Sequence, residues 1–116
     1  RDLHLSIRRQ RQMCIRDRVR IVQMTFKHTE VDYFIEEVFN RSKSFIRNFE
    51  GCNHLELHRD ATKKNILYTY SIWDNEDCLN VYRNSELFKT TWDKTKVLFA
   101  DKPKAFSLEK MEEVLY

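Results

Sequence analysis

The sequence predicts an α+β domain with the element order strand, helix, strand, strand, helix, strand. Apolar residues recur at helical spacing in two long segments, residues 29–49 and 76–99. Short segments rich in β-branched and aromatic residues flank them, and the two middle ones are separated only by a polar turn, as in a β-hairpin. This order is that of a ferredoxin-like fold, in which four strands form one antiparallel sheet and both helices pack on the same face.

The first half of the domain is predicted to be a strand followed by a helix. Residues 19–27, "VRIVQMTFK", are typical of a strand whose two faces are both partly buried. Thr29 opens "TEVD", which resembles a capping box, and the apolar residues after it keep helical spacing as far as Phe49. Gly51, the single Gly of the chain, stands where this helix must end, so we expect it to have a positive φ.

The second half is predicted to be a hairpin, a helical segment and a last strand. The hairpin strands are "NHLELHRD" and "ILYTYSIW", with "ATKKN" as the turn between them. Asp74 and Asn75 offer N-cap side chains before the second helical segment, which we expect to break near Ser85. After Pro103, the segment "KAFSLEKM" predicts the fourth strand.

A sheet with both helices on one face leaves its other face uncovered. We expect apolar residues such as Ile21 and Leu67 on that face, and a large apolar patch is rarely left in water. The simplest cover is a second copy of the same sheet. The sequence therefore predicts a two-fold homodimer with its sheets face to face, a dimeric α/β barrel.

Residues 1–18, "RDLHLSIRRQRQMCIRDR", differ in character from the rest of the chain, with six Arg and no Lys. Back-translation of "RDLH" and of "RRQRQMCIRD" gives codons that resemble the DNA adapters used in short-read sequencing, and "LSI" between them leaves room for an index. We therefore interpret residues 1–18 as a non-native, adapter-derived arm that is disordered, and residues 19–116 as the domain.

Removing the arm changes the classes of function that the composition permits. The formal net charge falls from +3 to −1, because six Arg and two Asp leave with it, so the basic footprint for nucleic acid disappears. No apolar segment approaches the ~20 residues that span a bilayer. Cys52 and Cys78 remain, with no signal peptide, and are interpreted as reduced thiols. These observations predict a cytoplasmic protein without nucleic-acid or membrane partners.

Two groups of side chains are candidates for chemistry. His54, Glu56 and His58 alternate on one strand face and could hold a transition metal, but a solvated strand face explains the pattern better, and we predict no metal. Tyr82 and Trp92 each bring a polar hydrogen to an otherwise apolar helical face, where a bound ligand could accept it. A single Gly excludes a glycine-rich phosphate loop.

The stretch from Val19 to about Met111 resembles the antibiotic biosynthesis monooxygenase family of dimeric α/β barrels, which includes quinol monooxygenases and haem-degrading enzymes. Three segments carry the resemblance: "EGC", "YSIWDNEDCLNVYRNSELF" and "TWDKTKVLFADKPKAFS". The resemblance implies oxygenation in an apolar pocket between helices and sheet, often without metal or flavin, so no cofactor is expected.

The resemblance also implies where a site would lie. Haem-degrading relatives place Asn on the first strand, Trp on the second helix and His four residues after a Phe. Those places here hold Met24 or Thr25, Tyr82 and Trp92, so no axial ligand for haem iron is expected. We predict a cofactor-independent monooxygenase of a small aromatic or quinol substrate, with Tyr82 and Trp92 as candidate catalytic residues. The predicted substrate-binding residues are Met24, Trp73, Tyr82, Phe88 and Trp92. The alternative is a non-catalytic dimeric binder of a small apolar metabolite.

Overall fold

The computed structural model describes residues 17–115, which form one antiparallel sheet of four strands with helices on one face. The strands are β1 (Arg18–Thr25), β2 (Cys52–Arg59), β3 (Ile66–Trp73) and β4 (Lys104–Glu109), in the sheet order β2-β3-β1-β4. The helices are α1 (residues 31–47), α2 (Glu76–Arg83) and α3 (Glu86–Lys96). The predicted α+β, ferredoxin-like β-α-β-β-α-β order is confirmed.

Strand β1 begins one residue before the predicted domain boundary at Val19. Arg18 is paired with Trp73 on one side and Glu109 on the other, and its Nη2 donates to Glu76 Oε1 at 3.3 Å. Asp17 is buried. The predicted disorder of the arm falls, for residues 1–16, outside the described part of the chain.

Helix α1 is not a regular α-helix. Its first turn (Val31–Tyr33) and its second half (Asn40–Arg47) are α-helical, but Phe34–Phe39 is π-helical. The helix begins after Glu30 and no side chain caps it, so the capping box predicted at Thr29 is wrong.

Gly51 joins helix α1 to strand β2 with φ +88°, as predicted. A Cβ atom at this position would lie 2.6 Å from Cβ and 2.7 Å from Sγ of Cys78 on α2. The carbonyl of Gly51 also accepts a hydrogen bond from the backbone N–H of Asp74 at 2.9 Å. This residue therefore allows α2 to pack closely on the turn between α1 and β2.

Two side-chain caps define the second pair of helices. Asn75 Oδ1 accepts from the backbone N–H of Cys78 at 2.9 Å and starts α2. Ser85 Oγ accepts from the backbone N–H of Phe88 at 3.1 Å and donates to the carbonyl of Tyr82 at 2.6 Å. The predicted cap at Asn75 and break at Ser85 are both confirmed, and the second cap fixes α3 relative to α2.

The core lies on the helix side of the sheet and consists of two clusters of buried residues. The larger is formed by Met24, Phe26, Val31, Phe34, Val38, Leu67 and Leu98. The smaller is formed by Cys52, Trp73 and Leu79. Leu67 is only 1% exposed and pairs with Met24, so its predicted place on the uncovered face is wrong. Strand β3 carries apolar or aromatic residues on both faces, and the pairing register, which the sequence pattern does not reveal, decides which face lies against the helices.

The opposite face, here called the outer sheet face, has no helix over it. Its apolar part is defined by residues that follow from the register of β1 with β3 and β4, namely Ile21, Tyr70, Ile72, Phe106 and Leu108. Phe106 is 50% exposed and Leu108 is 46% exposed. Across residues 17–115, no helix combines the length and apolar character that crossing a bilayer requires.

Candidate functional site

A cavity of about 330 Å³ lies between the sheet and the helices, next to both core clusters. We call it the helix-side cavity. Strands β1 and β3 form its floor with Met24 and Thr69, and the three helices close it from above with side chains such as Phe39, Tyr82 and Trp92. Its volume is at the lower end of the range of small-molecule sites.

All five residues predicted to bind substrate line this cavity. Met24 lies on β1, Trp73 is the last residue of β3, Tyr82 is on α2, and Phe88 and Trp92 are one helical turn apart on α3. The structure therefore brings together side chains that are as many as 68 residues apart in the chain. That they bind a ligand stays a prediction.

Four of these side chains form a continuous row, here called the aromatic ladder: Trp73, Tyr82, Phe88 and Trp92. Trp73 and Tyr82 stack with centroids 4.8 Å apart and planes at 27°. Tyr82 and Phe88 meet edge to face with ring centroids 5.3 Å apart. Phe88 stacks on Trp92 with centroids 5.8 Å apart and planes at 9°. Such contacts hold the rings in place, so the ladder forms a preorganised aromatic wall of the cavity.

The polar hydrogens of the ladder are not equivalent. Trp73 Nε1 donates to Ser71 Oγ at 3.0 Å, so this indole is satisfied by the protein. The Tyr82 hydroxyl and Trp92 Nε1 make no hydrogen bond with any residue in the described range 17–115. These two donors are the ones that sequence reasoning singled out.

Tyr82 stays protonated at neutral pH. Burial raises the pKa of its phenol far above the ordinary value, the nearby Cys52 raises it further, and Arg20 opposes both effects. A neutral phenol can donate a hydrogen bond but cannot remove a proton from a substrate. The hydroxyl is therefore suited to holding an oxygen atom of a ligand.

Two positively charged residues at the helix-side cavity were missed by sequence reasoning. Arg20 lies on β1 and Arg83 is the last residue of α2, and both line the cavity. Burial lowers the pKa of Arg20, and the charge of Arg83 lowers it further. For Arg20 the sequence did contain an indication, because it alternates along the strand with Val22 and Met24, whose side chains point toward the helices.

The cavity does not fit a haem that needs a protein imidazole or thiolate. No His and no Cys is among the lining residues of the described chain. The place four residues after Phe88, where haem-degrading relatives carry their ligand, holds the indole of Trp92.

The three residues weighed as metal ligands lie on the outer sheet face, away from the cavity. His54 Nε2 is 2.5 Å from Glu56 Oε2, and His58 Nε2 is 2.6 Å from Glu56 Oε1. Hydrogen bonds from His54 first, and from His58, lower the pKa of Glu56. Within residues 17–115, no set of three or more ligating side chains is arranged to hold a metal ion.

Comparisons with solved structures show the fold of this chain in several proteins. A conserved protein from Methanosarcina mazei Go1 superposes with a TM-score of 0.79 at 15% identity, covering 84% of this chain and 95% of that one. A protein from Pseudomonas aeruginosa superposes with a TM-score of 0.73 at 19% identity, covering 88% of this chain and 100% of that one. A structure described as an antibiotic biosynthesis monooxygenase superposes with a TM-score of 0.75 at 13% identity, covering 82% of this chain and 99% of that one. At these identities the likeness concerns the fold alone.

Sequence comparison identifies the family, which the structural likeness alone does not. No curated protein matches the chain. The family model for antibiotic biosynthesis monooxygenases matches residues 18–94, from the first residue of β1 almost to the end of α3. This range includes all five of the predicted substrate-binding residues and both arginines of the helix-side cavity. The chain therefore belongs to the antibiotic biosynthesis monooxygenase family.

Proposed function

We propose that the chain is a monooxygenase that oxidises a small aromatic or quinol compound in the helix-side cavity without a metal or flavin cofactor. One observation carries the proposal: an aromatic cavity contains two donors, the Tyr82 hydroxyl and Trp92 Nε1, without partners among the described residues. A bound substrate would place an oxygen atom within reach of these donors, and each such hydrogen bond contributes about 0.5 to 1.5 kcal/mol.

The reaction balances with dioxygen as the only co-reactant. A hydroquinone and one O2 give a hydroxyquinone and one water, so one oxygen atom enters the ring and the other leaves as water. All four electrons that reduce dioxygen come from the substrate. The ionised quinol is the electron-rich form, so the protein would promote the reaction by favouring that anion and by excluding bulk water.

Each residue has a separate role in this proposal. The Tyr82 hydroxyl donates a hydrogen bond to a substrate oxygen, because its raised pKa keeps it protonated. Phe88 and Trp92, which stack on each other and both line the cavity, bound the substrate ring on one side, and Trp92 Nε1 offers a second donor. Met24 and Trp73 shape the wall, since Met24 is buried in the core and the indole N–H of Trp73 is used by Ser71.

One observation favours the alternative, a non-catalytic binder of a small apolar metabolite. No Asp, Glu or His lines the cavity in the described part of the chain, so no side chain there is an ordinary general base for a neutral quinol. Binding would need only the apolar wall and the two donors.

Oxygen uptake with a panel of hydroquinones tests the proposal. We expect a Tyr82→Phe, Trp92→Phe double variant to lose at least about tenfold in kcat/KM, equivalent to 1.4 kcal/mol of transition-state stabilisation. Tyr33→Phe is the matched control, because this tyrosine is 52% exposed and lies outside the cavity. Equal rates in parent and double variant would contradict the site, and binding without uptake in any variant would favour the binder.

We also propose that two copies associate through the outer sheet face. Phe106 and Leu108 are about half exposed there, beside Ile21, Tyr70 and Ile72 on the neighbouring strands. An exposed apolar face of this kind is unfavourable in water, and a two-fold axis would bring the same face of a second copy against it. The helix-side cavity is on the opposite side, so each protomer would keep its own site.

A further inference from the structure

The charge of the helix-side cavity is one-sided. Arg20 and Arg83 line it, and none of the lining residues in the described chain is Asp or Glu. The two guanidinium groups influence each other, since Arg83 lowers the pKa of Arg20. The charge of Arg20 is disfavoured first by its partial burial and then by repulsion from Arg83.

Neither arginine has a carboxylate partner among the described residues. The side-chain bond of Arg20 is to a neutral group, with Nη1 donating to Ser107 Oγ at 3.0 Å. Two arginines outside the cavity do bond acids, Arg18 with Glu76 at 3.3 Å and Arg41 with Glu37 at 3.0 Å, whereas Arg47 donates to the Cys52 carbonyl at 2.8 Å. The pair at the cavity therefore keeps donors and positive charge available to a ligand.

We propose that the helix-side cavity binds an aromatic ligand bearing an anionic oxygen group, a carboxylate or an ionised phenol, which Arg20 and Arg83 hold. The inference rests on the proposed function only in placing an aromatic molecule in this cavity. Guanidinium groups fit such oxygens with paired N–H donors. Arg83 is exposed at the end of α2 and Arg20 is half-buried, so the anionic group lies toward the opening while the ring lies along the aromatic ladder.

The charges of Arg20 and Arg83 also offer a way for a bound quinol to ionise although no general base lines the cavity. A positive charge within a few ångströms favours the ionised form of an acid and lowers its pKa. A quinol placed beside Arg20 would lose its proton to water more readily than it does in solution. The arginines would then act by stabilising the anion, and no side chain would need to accept the proton.

Calorimetric titration with two kinds of probe tests the inference and distinguishes the two anions. The first is the pair naphthoate and naphthamide, which have the same shape and differ in charge. The second is nitrophenol, titrated below and above its own pKa. We expect the parent to bind naphthoate about tenfold or more tightly than naphthamide, which corresponds to one charge-assisted hydrogen bond of about 1.4 kcal/mol or more. An ionised-phenol site would show the same preference for ionised over neutral nitrophenol.

The variants assign the effect to residues. Arg20→Gln should remove the preference for the anion while leaving naphthamide affinity within about twofold, a difference below 0.5 kcal/mol. Arg83→Gln serves as a second variant, since the Arg83 side chain is exposed and has no hydrogen bond or ion pair with another described residue. Arg59→Gln is the matched control, because it removes an exposed arginine outside the cavity.

The outcomes separate this inference from the proposed function. Equal binding of charged and neutral probes overturns the anion site and leaves an aromatic site for the enzyme. A preference for the anion that survives both Arg20→Gln and Arg83→Gln, or no binding of any probe, also overturns it. Failure of the monooxygenase proposal would appear elsewhere, as an anion preference that depends on Arg20 without oxygen uptake.

Discussion

Tyr82 shows how a fold can keep a phenol as a donor in an apolar site. Ser85, three residues further on, accepts the capping bond from α3 and donates to the Tyr82 carbonyl, so it fixes the backbone on both sides of the break between the helices. Trp73 and Phe88 hold the Tyr82 ring by stacking and by an edge contact. The hydroxyl is thus positioned by everything around it except a hydrogen bond of its own.

The substitution Tyr82→Phe should separate a ligand-binding hydroxyl from a structural one. We expect the free energy of unfolding to change by less than about 1 kcal/mol, because no described residue bonds the hydroxyl. Affinity for a phenolic ligand should fall about tenfold, the equivalent of 1.4 kcal/mol. Urea unfolding and titration of Trp fluorescence with a hydroquinone measure both. Unchanged affinity combined with a marked loss of stability would assign Tyr82 to the core.

The raised pKa of Tyr82 predicts a loss of stability at alkaline pH. Above the ordinary tyrosine pKa of about 10, the unfolded chain releases a proton that the folded chain retains, so folding becomes less favourable as pH rises. The slope from this residue is at most about 1.4 kcal/mol per pH unit. The free energy of unfolding, measured as a function of pH, should fall faster in the parent than in Tyr82→Phe above about pH 10. The exposed control Tyr33→Phe should follow the parent, and parallel curves for all three would contradict burial as the cause.

At the scale of elements, the junction between α1 and β2 depends on Gly51. Gly51→Ala should destabilise the domain by about 2 kcal/mol or more, because a positive φ and a steric contact act together. The added Cβ would meet two atoms of Cys78 at 2.6 Å and 2.7 Å. Thermal unfolding measures the loss, and Glu50→Ala, at the exposed neighbouring position, is the control. A change as small as that of the control would show that α2 can move aside.

Strand β1 begins at Arg18, so we expect two truncations of the arginine-rich arm to differ in stability. Deleting residues 1–16 should leave the melting temperature and the association state unchanged, since we interpret this segment as adapter-derived. Deleting residues 1–18 should lower the melting temperature, because Arg18 pairs with Trp73 and Glu109 and bonds Glu76. Differential scanning calorimetry measures the melting temperatures of both truncated chains. A loss above about 1 kcal/mol in the shorter deletion would mean that residues 1–16 contribute to the fold.

The elements differ in how far the sequence predicted them, and the reason is periodicity. The helices were predictable because their apolar repeats are long, and the strands because short segments rich in β-branched and aromatic residues flank them. Leu67 was misplaced because β3 carries apolar or aromatic residues on both faces, so its pattern does not show which face is buried. The π-helical turn at Phe34–Phe39 was not predicted, since the apolar pattern of α1 fits either kind of helix. Of the site, Tyr82, Phe88 and Trp92 were predictable from their helical spacing. The strand phase of Arg20 placed it on the inner face of the sheet, but only the folded chain shows that it shares one cavity with Arg83.

For the whole molecule, the outer sheet face should control association. The parent should sediment as two chains at micromolar concentration, and Phe106→Lys should give a folded monomer, because a charge buried in the interface would lack a partner. Phe106 is 50% exposed in the protomer, so the variant can fold alone, whereas Leu67→Lys would disrupt the core. Tyr33→Lys, at an exposed position outside the outer sheet face, is the control. A monomeric parent would refute the dimer.

The sheet order β2-β3-β1-β4 places the earliest strand in the middle, and this affects how the chain is made. Both neighbours of β1 are synthesised after it: Val19 pairs with Ile72 and with Leu108. Until residues 104–109 leave the ribosome, one edge of β1 stays open, with an apolar face beside it. Such an edge invites pairing with another nascent chain, and contacts between distant segments form slowly. A ribosome that stops before β4 would therefore release a three-stranded product prone to aggregation, so the last strand completes the domain and also closes its most vulnerable edge.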